Sequence, residues 1–380
     1  MKVVIAMDSF KGSLSSQKAG EAVKNGVLRV FTDANCVVSP IADGGEGTVD
    51  ALTEGLGGDF VYANVSGPLG ETVSAKYGIV NGSTAVMEMS AAAGITLVPK
   101  EKKDPLYTTT FGVGQMIIHA LDRGCRSFII GIGGSATNDG GTGMLKALGF
   151  DLLDQEGIPI ENGAIGLSKL AKISDKYADP RLKDCKFSVA CDVTNPLCGR
   201  IGCSAVFGPQ KGATAQTIRQ MDAWLESFAK LTKDLNQSSD AEYPGSGAAG
   251  GMGFAFRSYL GADLVKGIEL VLRETRLEEQ IKDADIVVCG EGRLDSQSVM
   301  GKAPVGVARL AKKYKKPVIA FSGCVTDDAR ICNEHGIDAF FPILRGVCTL
   351  DEAMDEVNAY NNLVNTAEQV FRLVKASKAL

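Results

Sequence analysis

Six short stretches of this 380-residue chain combine glycine with Asp, Ser, Thr, Asn or Lys, and each stands where a strand ends or a helix begins: residues 8–12, 42–48, 131–143, 192–199, 207–213 and 290–302. The richest is Gly131-Ile-Gly-Gly-Ser-Ala-Thr-Asn-Asp-Gly-Gly-Thr-Gly143. The apolar run Ser127-Phe-Ile-Ile130 before it reads as a buried strand, and Met144, Leu145 and Leu148 after it recur at helical spacing. A strand, a glycine turn and a helix start aim backbone N–H groups and the positive end of a helix dipole at one point, the geometry that holds phosphate. A plain connecting turn also uses glycine. It has less need of Ser135, Thr137, Asn138 and Asp139 in the same few residues.

Taken together the six stretches carry carboxylates (Asp8, Asp43, Asp192), amide-rich turns and three lysines, Lys11, Lys211 and Lys302. Phosphoryl transfer uses this mixture: amides and Lys cradle phosphates, carboxylates hold Mg²⁺, and a further carboxylate takes the proton of an acceptor hydroxyl. Singly, each residue has a plainer role. An Asp caps a helix or closes a turn, and a Lys is most often a solvated surface group. The repetition at strand ends carries the functional reading.

Other chemistries find less material. The two histidines, His119 on an apolar helix and His335 in a short polar connection, give a Ser-His-Asp hydrolase or a His-based metal site little to work with. No Gly-x-x-x-x-Gly-Lys-Ser/Thr loop is present. Gly131-Ile-Gly133-Gly-Ser-Ala136 matches a dinucleotide fingerprint, with Asp151 and Asp154 downstream, but these aspartates follow a helix directly instead of ending a second strand. The net charge of −5 argues against a nucleic-acid binder. Ten cysteines without a Cys-x-x-Cys pair read as reduced core thiols of a cytoplasmic protein. The chain opens directly on a strand, and no apolar run reaches the ~18 residues of a membrane span.

The elements that must position these residues follow from periodicity. Val3–Ala6 is a strand ending at Asp8, followed by a helix capped by Ser15 or Ser16 with Ala19, Ala22, Val23, Val27 and Val30 on its apolar face. Cys36–Ser39 and a helix with Val49, Leu52 and Leu56 repeat the pattern, which means parallel sheet, with ligands at the carboxyl ends of the strands. From residue 60 to 89 three alternating segments separated by Gly67-Pro68 and Asn81-Gly82 predict antiparallel hairpins. Near 282 the first rhythm returns: Ile286–Cys289 as a strand running into a Gly290–Ser296 turn, a helix over 304–314, strands at 317–321 and 339–344, and one last helix over 350–376. The expectation is an α/β protein of two domains. A discontinuous doubly wound (Rossmann-like) domain takes 1–60 and 282–380, a mixed α/β domain is inserted at 61–281, and the active site lies in the cleft between them.

The motifs Asp8-Ser-Phe-Lys-Gly-Ser-Leu-Ser15, Ala42-Asp-Gly-Gly-Glu-Gly-Thr48, Gly131–Gly141, Cys191-Asp-Val-Thr-Asn-Pro-Leu197, Phe207-Gly-Pro-Gln-Lys-Gly212 and Gly290-Glu-Gly-Arg-Leu-Asp295 together resemble the bacterial type-1 glycerate kinase family, nearly end to end. The resemblance implies an ATP- and Mg²⁺-dependent kinase acting on D-glycerate in glyoxylate or sugar-acid breakdown, with 2-phosphoglycerate as product, or 3-phosphoglycerate as the alternative. A NAD-dependent hydroxy-acid dehydrogenase or a non-catalytic sugar-acid sensor stays open as a remoter reading. Under the kinase reading Asp192 is the candidate base, with Asp8 second and Lys11 neutralising charge. Ser9, Lys11, Arg293 and Asp295 would bind glycerate, the guanidinium fork of Arg293 suiting a carboxylate. Gly133, Gly134, Ser135, Asn138, Asp139, Lys211 and Lys302 would line the ATP phosphates, and Asp43 and Glu46 would hold Mg²⁺. The partner is a small molecule, with no nucleic acid and no membrane, and the protein is a monomer or homodimer.

Overall fold

The computed structural model describes residues 1–377. Its strands are β1 (Lys2–Met7), β2 (Asn35–Val38), β3 (Asp59–Ser66), β4 (Thr72–Val80), β5 (Thr84–Glu88), β6 (Ser127–Gly131), β7 (Asp151–Leu153), β8 (Lys172–Ser174), β9 (Lys186–Ala190), β10 (Asp263–Val265), β11 (Ile286–Leu294), β12 (Val318–Val325) and β13 (Ala339–Pro342). The fold is α/β. The described residues divide into two compact units, one made of Met1–Asp43, Gly47–Gly58 and the described residues from Ile268 onward, the other of Gly44–Glu46 and Asp59–Gly267. Residues 268–281, expected with the middle of the chain, thus pack with its ends. The cause is local: the Ile268 side chain reaches 2.3 Å from where a Cβ on Gly306 would stand, which presses the helix Gly267–Glu274 onto the helix Ala303–Lys313.

In the first unit the sheet order is β13-β12-β11-β1-β2, every pair parallel. Val3, Ile5 and Met7 point to one face and pack with Ala19, Val23 and Val27 of the helix Ser16–Leu28 and with Leu363, Val364 and Phe371 of the helix Glu356–Ser377. Val4 and Ala6 point to the other face and are buried as well, so both faces of β1 are covered, as its unbroken apolar run requires. Each such side chain contributes about 1.5–3 kcal/mol by leaving water. Ser15 caps its helix by accepting the Lys18 N–H at 3.3 Å.

Two expectations are corrected here. The strand expected to stop at Cys289 continues as β11 to Leu294, because β12 extends beside it and pairs Glu291 with Ser322 and Arg293 with Cys324. The single helix expected over 350–376 is two, Leu350–Met354 and Glu356–Ser377. Asp355 breaks it: its backbone turns to ψ 128° and its carboxylate caps the Asn358 N–H at 2.9 Å.

The second unit holds a sheet of order β10-β9-β6-β5-β4-β3. The pairs β3–β4 and β4–β5 are antiparallel and the rest parallel. Its core includes the stacked rings of Phe128 and Phe187 at 4.7 Å, with Met116, Phe228 and Phe254 from the helices Phe111–Asp122, Ala215–Leu235 and Ala248–Leu260. The last of these is not regular at its start. Ala249, Gly250 and Gly251 take left-handed conformations, and a Cβ on Gly250 would stand 2.1 Å from the Thr137 carbonyl oxygen. The glycine cluster at 245–253 therefore lets two backbone segments meet. Asp151 opens β7, which pairs with β8 in a separate two-stranded sheet, and Asp154 closes a turn by accepting the Glu156 and Ile158 N–H groups. Neither ends a strand beside β6, so the dinucleotide match is one of spelling alone.

Candidate functional site

Every strand of the first unit delivers residues from its carboxyl end to one cavity of about 360 Å³. β1 runs into Asp8, Ser9 and Lys11. The segment after β2 brings Asp43, and β11 supplies Glu291 and Arg293. β12 adds Gly323 and Cys324, and Ile343 and Leu344 follow β13. β1 and β11 are neighbours whose chains leave in different directions, toward β2 on one side and β12 on the other, so the crevice lies where the strand order reverses.

Asp8 sits at the centre of this arrangement. It is 5% exposed, its N–H donates to the Gly290 carbonyl at 2.9 Å, and its Oδ1 accepts the Ser9 N–H at 2.6 Å. Burial, and then the like charges of Asp43 and Glu291, push its pKa up to about 7 against the opposing pull of the Ser9 N–H and Lys11. Glu291 is also buried, and its pKa is raised, first by burial and further by Asp295 and Asp43. Ser298 Oγ donates to its Oε1 at 2.6 Å, and Lys302 Nζ lies 3.7 Å from Oε2. Lys302 is shared with Asp295 at 3.6 Å, and Asp295 also takes Arg293 Nε at 3.1 Å and caps the Gln297 N–H. Lys11 and Arg293 remain exposed. The result is a nest of buried carboxylates ringed by three cations.

The candidate residues of the second unit have different surroundings. Asp139 is wholly buried, and its carboxylate accepts the N–H and Oγ1–H of Thr110, both at 2.9 Å, the Gly141 N–H at 3.0 Å and the Gly143 N–H at 3.3 Å. Burial raises its pKa and these four donors oppose the rise. A side-chain carboxylate thus fills the place at the start of the short helix Thr142–Ala147 where sequence reasoning puts phosphate. Lys211 is 2% exposed; Nζ donates to Ser135 Oγ at 2.8 Å and to the Thr137 carbonyl at 2.6 Å. Burial lowers its pKa to about 8, while Cys203 and Asp139 pull the other way. Asn138 is buried and donates to Ser204 Oγ at 2.8 Å. Gly133 and Gly134 are exposed. Asp192 is exposed too, with Oδ1 accepting the Gly267 N–H at 3.0 Å. Glu46 is exposed and is not among the residues lining the cavity that holds Asp43.

Among the described residues no three His, Cys, Asp or Glu side chains are gathered as a ready metal cage. The donor chemistry around Asp8 still suits Mg²⁺, which keeps several waters and takes one or two carboxylates plus phosphate oxygens. The mutual repulsion of Asp8, Asp43 and Glu291 is what a cation would relieve. The cysteines are unpaired, but not all are core thiols: Cys324 and Cys348 are exposed. Among the described residues no helix is long and apolar enough to cross a membrane.

Sequence reasoning passed over Thr110, Ser204, Ser298 and the burial of Glu291 in the cavity wall. The first three carry no pattern beyond a hydroxyl. Glu291 stood in a Gly-Glu-Gly that read as a turn, and only its pairing with β12 turns it into a strand residue.

A model of the glycerate kinase family matches residues 3–375. The glycerate 2-kinase of Escherichia coli (strain K12) is 50% identical over 371 residues, 97% of this chain and 97% of that one. The glycerate kinase of Bacillus subtilis (strain 168) is 47% identical over 381 residues, 100% of this chain and 99% of that one. A crystal structure of a candidate glycerate kinase 2 from Salmonella typhimurium LT2 superposes with a TM-score of 0.93 at 47% identity, covering 100% of both chains.

Proposed function

Because the chain belongs to the glycerate kinase family, we propose that it transfers the γ-phosphoryl group of ATP to the 2-hydroxyl of D-glycerate, giving 2-phospho-D-glycerate and ADP. The relative named glycerate 2-kinase, at 50% identity over nearly the whole chain, supports the choice of hydroxyl. The observation that carries the reading is Asp8, a buried carboxylate held near neutrality at a strand end, with Lys11, Arg293 and Lys302 lining the same cavity.

Asp8 takes the role of base. Burial, the first cause of its raised pKa (about 7 without metal), suits it to accept a proton from an alcohol as the oxygen attacks, since a base works best when its pKa is near the working pH. Ser9 keeps the Asp8 carboxylate oriented through its N–H. Asp192, the first candidate from sequence, is solvent-exposed and already accepts a backbone bond. Lys11 and Arg293 are exposed at the cavity and hold the glycerate carboxylate and the transferring phosphate. Lys302, steadied by Glu291 and Asp295, faces the phosphate chain. Asp43 and Glu291 would hold Mg²⁺, which neutralises charge on the phosphate oxygens when bound. Asp139, Asn138 and Lys211 shape the turn after β6 and do not touch ATP. Unpaired cysteines fit a reducing cytoplasm.

The test is ADP release by the purified chain with ATP, Mg²⁺ and D-glycerate, coupled to phosphorus NMR of the product. Glycerate-dependent ADP release with phosphorus coupled to a single carbinol proton supports the proposal. Coupling to a methylene pair would move the reaction to the 3-hydroxyl, and no turnover would remove the kinase assignment.

A further inference from the structure

The cavity of the first unit has two kinds of wall. Asp8, Lys11, Asp43, Glu291, Arg293 and Lys302 form the polar part. The rest is apolar and comes from the segment after β13 and the short helix Leu350–Met354, with Ile343, Leu344, Leu350, Ala353 and Met354. Three of these are large hydrophobic side chains left open: Leu344 is 39% exposed, Met354 38% and Leu350 75%. This helix stands directly on the loop that carries Asp8, because Met354 Cε is 2.9 Å from where a Cβ on Gly12 would be. Apolar surface and reacting groups therefore share one continuous space.

Glycerate does not need that surface. Every carbon of this acid bears oxygen, so it offers no apolar face to bury. A cavity of about 360 Å³ is within the size of sites for whole organic ligands, at roughly 300–1,000 Å³. In the glycine-rich turn after β6, Asp139 already takes the Gly141 and Gly143 N–H groups, and Lys211 already donates to Ser135 and Thr137. A ligand with a flat apolar ring at one end and a chain of negative charge at the other matches what the first unit presents.

We infer that the wall of Leu344, Leu350, Ala353 and Met354 seats the adenine ring of the nucleotide, whose phosphates run toward Lys11, Arg293 and Lys302. The inference rests on the kinase reading above and assigns the base a place within the first unit. Charge complementarity sets the direction: three cations mark the phosphate end, and the apolar segment marks the other. The ring faces are buried against aliphatic side chains, a contact tolerant of small shifts and independent of the acceptor.

The experiment is equilibrium titration of the full chain with ADP and, separately, with inorganic tripolyphosphate, for the wild type and for Leu344→Asn/Leu350→Asn. Both positions are open to solvent and both replacements are neutral, so neither folding nor the field at the cations is disturbed; Leu350→Asn alone is the second variant. ADP affinity should fall by roughly tenfold in the double variant, with tripolyphosphate affinity and the KM for glycerate unchanged. Unchanged ADP affinity overturns the inference, as does an equal loss for both ligands, or no ADP binding by the wild type. A wild type that binds ADP but fails to phosphorylate glycerate would sink the glycerate assignment and leave this one standing.

Discussion

Lys211 Nζ donates to Ser135 Oγ at 2.8 Å from a position with almost no solvent contact, so a buried ammonium fastens the turn that follows β6. Its pKa of about 8 lies below the 10.5 of an exposed lysine. In the folded state it loses its proton first, so between these two values the unfolded chain binds more protons, and stability rises with pH across that window. The charged form costs the fold about 3 kcal/mol below pH 8. Chemical denaturation of wild type and Lys211→Met at pH 7.5 and pH 10 isolates the effect: the wild type should gain on the variant by a few kcal/mol at the higher pH. A difference that does not change with pH would mean that Lys211 is not buried as an ammonium.

Asp8 gives a prediction of opposite sign. Its folded pKa of about 7 lies above the 3.8 of a free carboxyl. The folded state holds its proton where the unfolded state has lost it, so this group's contribution to stability falls as pH rises from 3.8 to 7. Asp8→Asn should be more stable than wild type at pH 8 by a few kcal/mol, while turnover falls by about 10²–10⁴-fold. In the wild type, turnover should climb with pH as the base ionises, with a midpoint below the value of about 7 in the metal-free chain, because bound Mg²⁺ offsets the charge of Asp43 and Glu291. A variant that is inactive and also less stable would point to a structural role for the carboxylate.

Asp139→Asn removes a charge that four donors surround. One amide oxygen cannot replace two carboxylate oxygens, and the new NH₂ would face donors. The expected loss is about 2–4 kcal/mol, with faster hydrogen exchange at Gly141 and Gly143. Unchanged exchange at these two amides would show that their bonds to the carboxylate matter little.

Gly12 has φ +77°, and a Cβ there would collide with Met354 Cε. Gly12→Ala should cost about 1–2 kcal/mol from the left-handed backbone alone. It should also raise the KM for ATP by turning the Met354 side chain aside, with less effect on the KM for glycerate. Initial-rate kinetics with each substrate varied in turn would show whether the two constants separate.

Much of this architecture was readable from periodicity. Val3–Met7 is apolar at every position because both faces of β1 are covered, and residues 60–89 alternate because β3 to β5 form hairpins. The misreadings share a cause: local signals that a distant partner overrides. Gly290-Glu-Gly292 spells a turn, but β12 holds it straight. The burial of Asp139 and Lys211 was not legible either, because it cannot be seen in a one-dimensional pattern, and their partners are a Thr110 side chain, a Ser135 hydroxyl and the Thr137 backbone carbonyl. The two-helix ending turned on the backbone of a single residue, Asp355.

The extension of β11 through the candidate site makes chain length there a constraint in its own right, beside residue identity. Glu291 and Arg293 share one side of the strand because side chains alternate. A single-residue insertion just before Glu291 would turn the acid and the cation to the opposite face together, and one between Glu291 and Arg293 would split them onto opposite faces, unless a bulge absorbed it. The same change in an exposed loop, such as the one at Asn236–Ser238, would be absorbed with little consequence. Among natural variants, gaps should therefore be excluded from this five-residue run, and deep insertion–deletion scanning with a growth readout would reveal it as a narrow zone of intolerance.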